Sequence, residues 1–148
     1  MLMSLGSLFV VGGIAVGLYF LRKWVRGPIF TEDVTANGKV VLVTGANTGL
    51  GRETVRELNR RGAKSGCDAS RLHFVQCDLA SFSSVRRCAE TMQKAENHID
   101  ILINNAGIMN YPTFELTKDG HELTWQSNRL GHFLLTDLLL PQLKASGQ

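Results

Sequence analysis

Residues 40–51 read VVLVTGANTGLG, and the rest of the chain is placed from this stretch. Val40, Val41, Leu42 and Val43 form a short apolar run without polar alternation, the pattern of a strand buried on both faces of a parallel sheet. Gly45, Gly49 and Gly51 follow, and residues 52–61 then have a helical composition. Strand, glycine turn and helix in that order bring several backbone N–H groups and the positive end of a helix dipole to one point. That arrangement suits the diphosphate of a dinucleotide, with Gly45, Asn47, Thr48, Gly49, Leu50 and Gly51 as contact candidates. The competing reading is a glycine-rich turn that binds nothing, but three glycines at one corner carry an entropic cost that favours binding. The spacing is GxxxGxG, not the general GxGxxG fingerprint, and no Lys-Ser or Lys-Thr follows to make a Walker A loop.

Three further segments narrow the reading: CDLAS at 77–81, DILINNAGIM at 100–109 and NRLGHFLLT at 128–136. Together with TGANTGLG they resemble the short-chain dehydrogenase/reductase family, and within it the membrane-anchored retinol dehydrogenase group. The resemblance covers about residues 38–147. It implies an α/β fold, a Rossmann-like doubly wound parallel sheet, with hydride transfer to or from NADP on retinol, retinal or similar lipid alcohols and aldehydes. It further implies that Asp78 and Leu79 lie against the adenine ring, that Asn105, Ala106 and Gly107 line the adenosine side, and that Asn128 helps to hold a proton-relay water. Each has a plainer reading. Asn105 to Gly107 suits a left-handed turn after a strand, and Asn128 suits a core amide.

The chain departs from the family after Gly62. A dinucleotide fold needs a second strand whose end selects the ribose 2′ substituent. Here the sequence continues AKSGCDASR, too polar and too short for a strand and a helix. The next strand candidate is 72–77, ending at Asp78, which lies 27 residues beyond Gly51. Counting alone makes Asp78 the ribose acid; the resemblance makes it the adenine contact. The second strand and its helix are read as missing, so NAD stays open beside NADP. Because strand two lies between strands one and three in the usual order, the loss leaves either a gap or a rearranged sheet. We expect 72–77 to move beside 40–43, since an unpaired buried edge strands backbone donors and acceptors.

With 148 residues and 44% hydrophobic side chains the chain holds one small domain. The net charge of +3 is scattered, which gives nucleic-acid binding little support. Cys67, Cys77 and Cys88 lack CxxC spacing and make no metal-ligand pattern with the four histidines, so a reducing, metal-free setting is expected. Residues 1–21 carry no charge, and at about 1.5 Å per residue they just cross a hydrocarbon core of about 30 Å. Arg22, Lys23 and Arg26 follow at once. Residues 1–23 are therefore expected to form a transmembrane helix in the endoplasmic reticulum membrane, main domain toward the cytosol; a mitochondrial membrane fits the same pattern, and a cleaved signal peptide fits it less well. Gly13 and Gly17 make a GxxxG pair that would let two helices form a homodimer, or are ordinary membrane glycines. Residues 24–38 are a linker, and 39–148 a partial NAD(P)-binding Rossmann domain.

Arg52, Arg56 and Arg60 mark a solvated helix face closed by Gly62. Ser81 is expected to cap a helix to about Glu96, with Val85, Cys88, Ala89, Met92 and Ala95 buried. Residues 99–103 read as a buried strand. A long helix is expected from Asp119 or Gly120 to Leu140, kinked or ended by Pro141. His132 has no carboxylate or nucleophile at suggestive spacing and reads as structural. Hydride transfer also needs a proton donor, which the family supplies as YxxxK; Tyr111 is followed four positions on by Glu115, and Tyr19, with Lys23 at that spacing, lies in the apolar first segment. Two readings of function follow. One is an NADP-dependent oxidoreductase by lineage; the other is a catalytically inactive, membrane-tethered chain that binds nucleotide weakly or associates with full-length subunits.

Overall fold

The structure is a computed structural model that describes residues 5–27, 34–63, 73–109 and 111–146. It divides into two compact units, residues 1–33 and 34–148. The first holds α1 (Leu5–Val25), whose last turn carries Arg22 and Lys23 against the negative end of the helix dipole. Its described side chains are exposed, Tyr19, Phe20 and Trp24 among them. Among the described residues no helix is long and apolar enough to cross a membrane, so the span expected over 1–23 is not established by the fold. In the linker, residues 28–33 lie outside the described residues; Asn37 and Gly38 form a turn, with Gly38 at φ 74°.

In the second unit β1 (Val41–Val43) and β2 (Ile101–Ile103) pair in parallel, Val41 opposite Ile101 and Val43 opposite Ile103. This is a Rossmann-like sheet left incomplete, as the sequence implied. β1 is half-buried, not covered on both faces. Residues 73–77 form no strand and do not pair with β1, which overturns the expectation that 72–77 would close beside 40–43. A cavity of about 620 Å³ separates the two instead. Val75 and Cys77 already pack on the apolar core, and the backbone N–H of Asp78 donates to Ser84 Oγ at 3.0 Å. Closing the sheet would pull these groups off that packing.

The core lies between α3 (Phe82–Ala95) and α5 (Gly131–Ala145). Val85, Ile99, Leu135 and Leu139 are fully buried, and Cys88, Ala89 and Met92 join them. Burying an aliphatic side chain of this size contributes about 1.5–3 kcal/mol. Ala95 faces solvent, contrary to expectation. Ser81 sits at the N-cap of α3 without capping it, its hydroxyl being engaged by Ser83. Asp119 Oδ2 does that work, accepting the Phe82 N–H at 2.8 Å from 37 residues away.

Because Asp119 is used this way, the long helix starts later than expected. α4 (Leu123–Trp125) opens at Glu122, whose carboxylate accepts the Thr124 and Trp125 N–H groups at 2.8 and 2.6 Å. A π-helical turn, Gln126–Leu130, leads into α5. Pro141 does not end α5, which continues to Ala145. Tertiary bonds hold that last turn: Gln142 Nε2 donates to Glu96 O at 2.6 Å, and Ile99 N donates to Gln142 O at 3.1 Å. α2 (Gly49–Arg60) starts within the glycine turn, and Gly62 follows it at φ 90°. Arg56 and Arg60 pair with Glu53 and Glu57 on the exposed face, as expected.

Asp100 ties the start of β1 to the start of β2. Its carboxylate accepts from Lys39 Nζ at 2.9 Å and from the Val40 N–H at 2.7 Å, with His98 at 3.4 Å. The Lys39 bond first, and the Val40 bond next, hold its pKa below the ordinary carboxylate value. A lowered carboxylate stabilises the fold above its unfolded pKa of about 4 and loses that contribution as pH falls through the lowered native value. Asp100→Asn should therefore lower stability by about 1 kcal/mol at neutral pH in urea denaturation. The gap to the parent should close as pH drops below about 4; a gap that persists there would show a different cause.

Candidate functional site

The end of β1, the start of α2 and the end of β2 meet with almost no space between them. Gly45 lies at φ 67°, and a Cβ there would stand 2.9 Å from the Cα of Ala106. A Cβ on Gly51 would run into the carbonyl oxygen of Gly45 and lie 2.5 Å from Asn105 Nδ2. Gly49, at φ 53°, makes the turn into α2. Two of the glycines thus allow close approach and the third allows the bend. A helix start leaves its first N–H groups without intrahelical acceptors. Thr48 provides no side-chain cap, and α2 has no acidic residue in its first turn. The N–H groups of Gly49, Leu50 and Gly51 find no acceptor among the described residues, whereas Arg52 N already donates to Thr48 O.

These amides open onto a cavity of about 560 Å³. All eleven residues proposed from the sequence as cofactor contacts line it: Gly45 and 47–51 from the corner, Asp78 and Leu79 from the loop before α3, and Asn105, Ala106 and Gly107 after β2. Cys77, Ala80, Ile108 and Ser127 also line it and were missed. Cys77 and Ala80 flank the CDLAS contacts already named, but nothing in the spacing pointed to Ser127. Asp78 is exposed, and one of its oxygens accepts the Ala80 N–H at 3.0 Å, which shapes the loop.

A hydrogen-bond knot holds the corner from behind. Thr44 Oγ1 accepts the N–H groups of Asn105 and Ala106, each at 3.0 Å, and lies 2.9 Å from His132 Nε2. The carbonyl Asn128 O beside Nδ1 can only accept, so in the neutral ring Nε2 is the acceptor, and the Thr44 hydroxyl hydrogen goes to it at 2.9 Å in preference to Ile103 O at 3.5 Å. Nδ1 then carries the hydrogen it donates to Asn128 O at 3.2 Å. The amide of Asn128 continues the chain, accepting from Ile108 N and donating to Ile108 O, both at 2.8 Å. Asn128 is not among the cavity-lining residues; in this structure it holds the segment after β2. His132 is buried and structural, as read, but its partner is a hydroxyl that lies 88 residues away. No local pattern could have signalled that pairing.

The family model described as short chain dehydrogenase matches residues 39–148. This chain belongs to the short-chain dehydrogenase family. Human "Retinol dehydrogenase 13" is 42% identical, with 98% of this chain and 48% of that protein covered. Their alignment runs over 164 positions against 148 residues here, so the relative carries at least 16 residues without a counterpart. A solved protein from Mycobacterium Paratuberculosis is 41% identical at a TM-score of 0.63, over 74% of this chain and 44% of that one. The "RhlG/NADP active-site complex" of Pseudomonas aeruginosa is 27% identical at 0.61, over 76% and 50%. The chain spans about half the length of the curated relatives it matches. Among the described residues the sheet of this short-chain dehydrogenase chain has two strands, β1 and β2. Tyr111 donates to Glu115 Oε2 at 2.5 Å, and that carboxylate pushes the phenol pKa up, away from what proton transfer needs.

The knot makes a stability prediction. His132→Phe keeps a ring of similar size but removes the near acceptor of the Thr44 hydroxyl, leaving only Ile103 O at 3.5 Å, and should cost about 1 kcal/mol in urea denaturation. Phe133→Ala, on the exposed side of the same helix, should stay within about 0.5 kcal/mol. Equal effects from both would mean that the knot does not hold the corner.

Proposed function

We propose that these residues form the nucleotide-binding half of an oxidoreductase that uses NADP and acts on retinol, retinal or similar lipid alcohols and aldehydes. The observation that carries the reading is the set of open amides at 49–51, facing a cavity lined by every corner residue named from the sequence. Three N–H groups at a helix start, with no acidic side chain in the first turn to compensate them, suit a diphosphate. Asp78, Leu79 and Asn105 to Gly107 would then flank the adenosine. When bound, the cofactor supplies or takes up the hydride. A nicotinamide cofactor is supported by likeness to proteins solved with NADP and with NADH; NADP is the choice that follows from the retinol dehydrogenase resemblance, and NAD is the alternative.

α1 is proposed as the membrane attachment. Its exposed apolar side chains, followed by Arg22, Lys23 and Arg26, suit the endoplasmic reticulum membrane with the main unit toward the cytosol, and Gly13 and Gly17 would pair two copies. A mitochondrial membrane is the other setting. A second functional reading has its own support: of the two tyrosines of the 148 residues, Tyr111 is followed four positions on by Glu115, and Tyr19, although Lys23 follows it at that spacing, lies in the apolar N-terminal segment. On that reading this chain binds nucleotide without turnover, or associates with full-length subunits. Incubation with all-trans-retinal and NADPH separates the two, since turnover removes the second reading and binding without turnover supports it.

Leu50→Pro tests the site itself. It removes one open N–H at a helix start, where proline breaks no intrahelical bond. NADPH affinity, read from quenching or titration calorimetry, should fall about tenfold or more, with the ligand-free melting temperature nearly unchanged. Equal NADPH affinity in parent and variant would overturn the reading, and a parallel NADH titration decides between the cofactors.

A further inference from the structure

Ser127 lines the 560 Å³ cavity but takes no part in the knot behind it. It is the second residue of the π-helical turn Gln126–Leu130 and is only 8% exposed. Its neighbours in the turn are engaged elsewhere. The Gln126 side chain bonds to Asp119 and Thr117, and the Asn128 amide to both backbone groups of Ile108. Among the described residues the Ser127 hydroxyl finds no hydrogen-bond partner. A hydroxyl inside a helix commonly turns back to the carbonyl four residues earlier, as Thr91 does to Arg87 O and Thr136 to His132 O, both at 2.8 Å. Ser127 does not. Nor is its oxygen sealed: among the described residues the enclosed side-chain atoms without a partner are Asn59 Nδ2 and Gln142 Oε1, and Ser127 Oγ is not one of them. Its open side is the cavity that the residue lines.

Its neighbours fix where in the cavity this hydroxyl stands. Gly131, one turn further along, abuts Leu79, and a Cβ there would lie 2.5 Å from the Leu79 carbonyl oxygen. Asn128, the next residue, holds Ile108. Ser127 therefore sits where the loop 78–80 and the segment 106–108 come together. Leu79, Ala80, Ala106 and Ile108 give that part of the cavity apolar faces. Apolar faces with a hydroxyl between them suit a flat ring system that carries donors and acceptors on its edges. We infer that the Ser127 hydroxyl binds the adenosine part of the nucleotide directly, on the cofactor reading proposed above. A hydroxyl both donates and accepts, so adenosine offers it partners on the base and on the ribose. The bond forms only with ligand present. It adds affinity, therefore, without adding stability to the ligand-free chain.

The test compares the full chain in detergent, parent and Ser127→Ala, by titration calorimetry with ADP, NADPH and inorganic pyrophosphate. ADP carries adenosine and a diphosphate; pyrophosphate is the diphosphate alone. The alanine variant should bind ADP and NADPH about threefold to tenfold more weakly than the parent and bind pyrophosphate equally well. Without ligand it should melt at the parent's temperature or above it. A loss of affinity shared equally by pyrophosphate, or a lower ligand-free melting temperature, would show that Ser127 shapes the turn and would overturn the inference. Equal ADP affinity in parent and variant would overturn it while leaving the cofactor reading intact. A parent that binds neither ADP nor NADPH would remove both.

Discussion

The hydroxyl of Thr44 is the point on which the site depends. It closes the end of β1 onto Asn105 and Ala106, after β2, by accepting two backbone N–H groups, and it reaches through His132 and Asn128 to Ile108. Strand β1, the glycine corner and the segment after β2 are thereby fixed relative to one another even though the sheet has only two strands. The glycines matter because of that closeness: with Ala106 and Asn105 drawn in, positions 45 and 51 have no room for a side chain. The open amides of α2 then face a cavity whose opposite side is supplied by Leu79 and Gly107. The same helix that carries His132 also abuts the loop that holds Leu79. A Cβ on Gly131 would meet Leu79 O at 2.5 Å, so α5 passes under that loop only as glycine.

Among the described residues no second neighbour covers the outer edge of β1, yet the corner is kept. β1 keeps β2 as its neighbour and Asp100 as its anchor, while the α3–α5 core forms without reference to the other edge. Residues 73–77 follow the core, because Val75 and Cys77 have apolar partners there and the Asp78 N–H has Ser84. Cys77 packs at that seam on the core that contains Cys88, and the neighbouring Cys88 thiol and burial push the Cys77 thiol pKa up. A cavity of about 620 Å³ lies between β1 and residues 73–77.

Much of this was legible in the sequence. The apolar runs at 40–43 and 99–103 and the glycine spacing placed the strands and the turn, and the apolar face of 82–95 gave the core side of α3 apart from Ala95. What could not be read came from distant pairs. Asp119 caps a helix 37 residues earlier in the chain, and so delays the helix that its own neighbourhood suggested. Gln142 holds the last turn of α5 to Glu96 and Ile99, and so carries the helix past Pro141. His132 was read as structural because no carboxylate stood near it in sequence; the hydroxyl that partners it has no local signature. The cost of an unpaired edge by itself favours 72–77 beside β1, and the core packing of Val75 and Cys77, which has no local signature, outweighs it.

The central claim is that the backbone amides of Gly49, Leu50 and Gly51 form the diphosphate seat of this short-chain dehydrogenase fold. Site-resolved amide exchange of the full chain, with and without NADPH, addresses it most directly. The account predicts that exchange at 49–51 slows on NADPH addition, while exchange in the exposed middle of α2 changes little. NADPH binding that leaves these three amides exchanging at their ligand-free rates would contradict it.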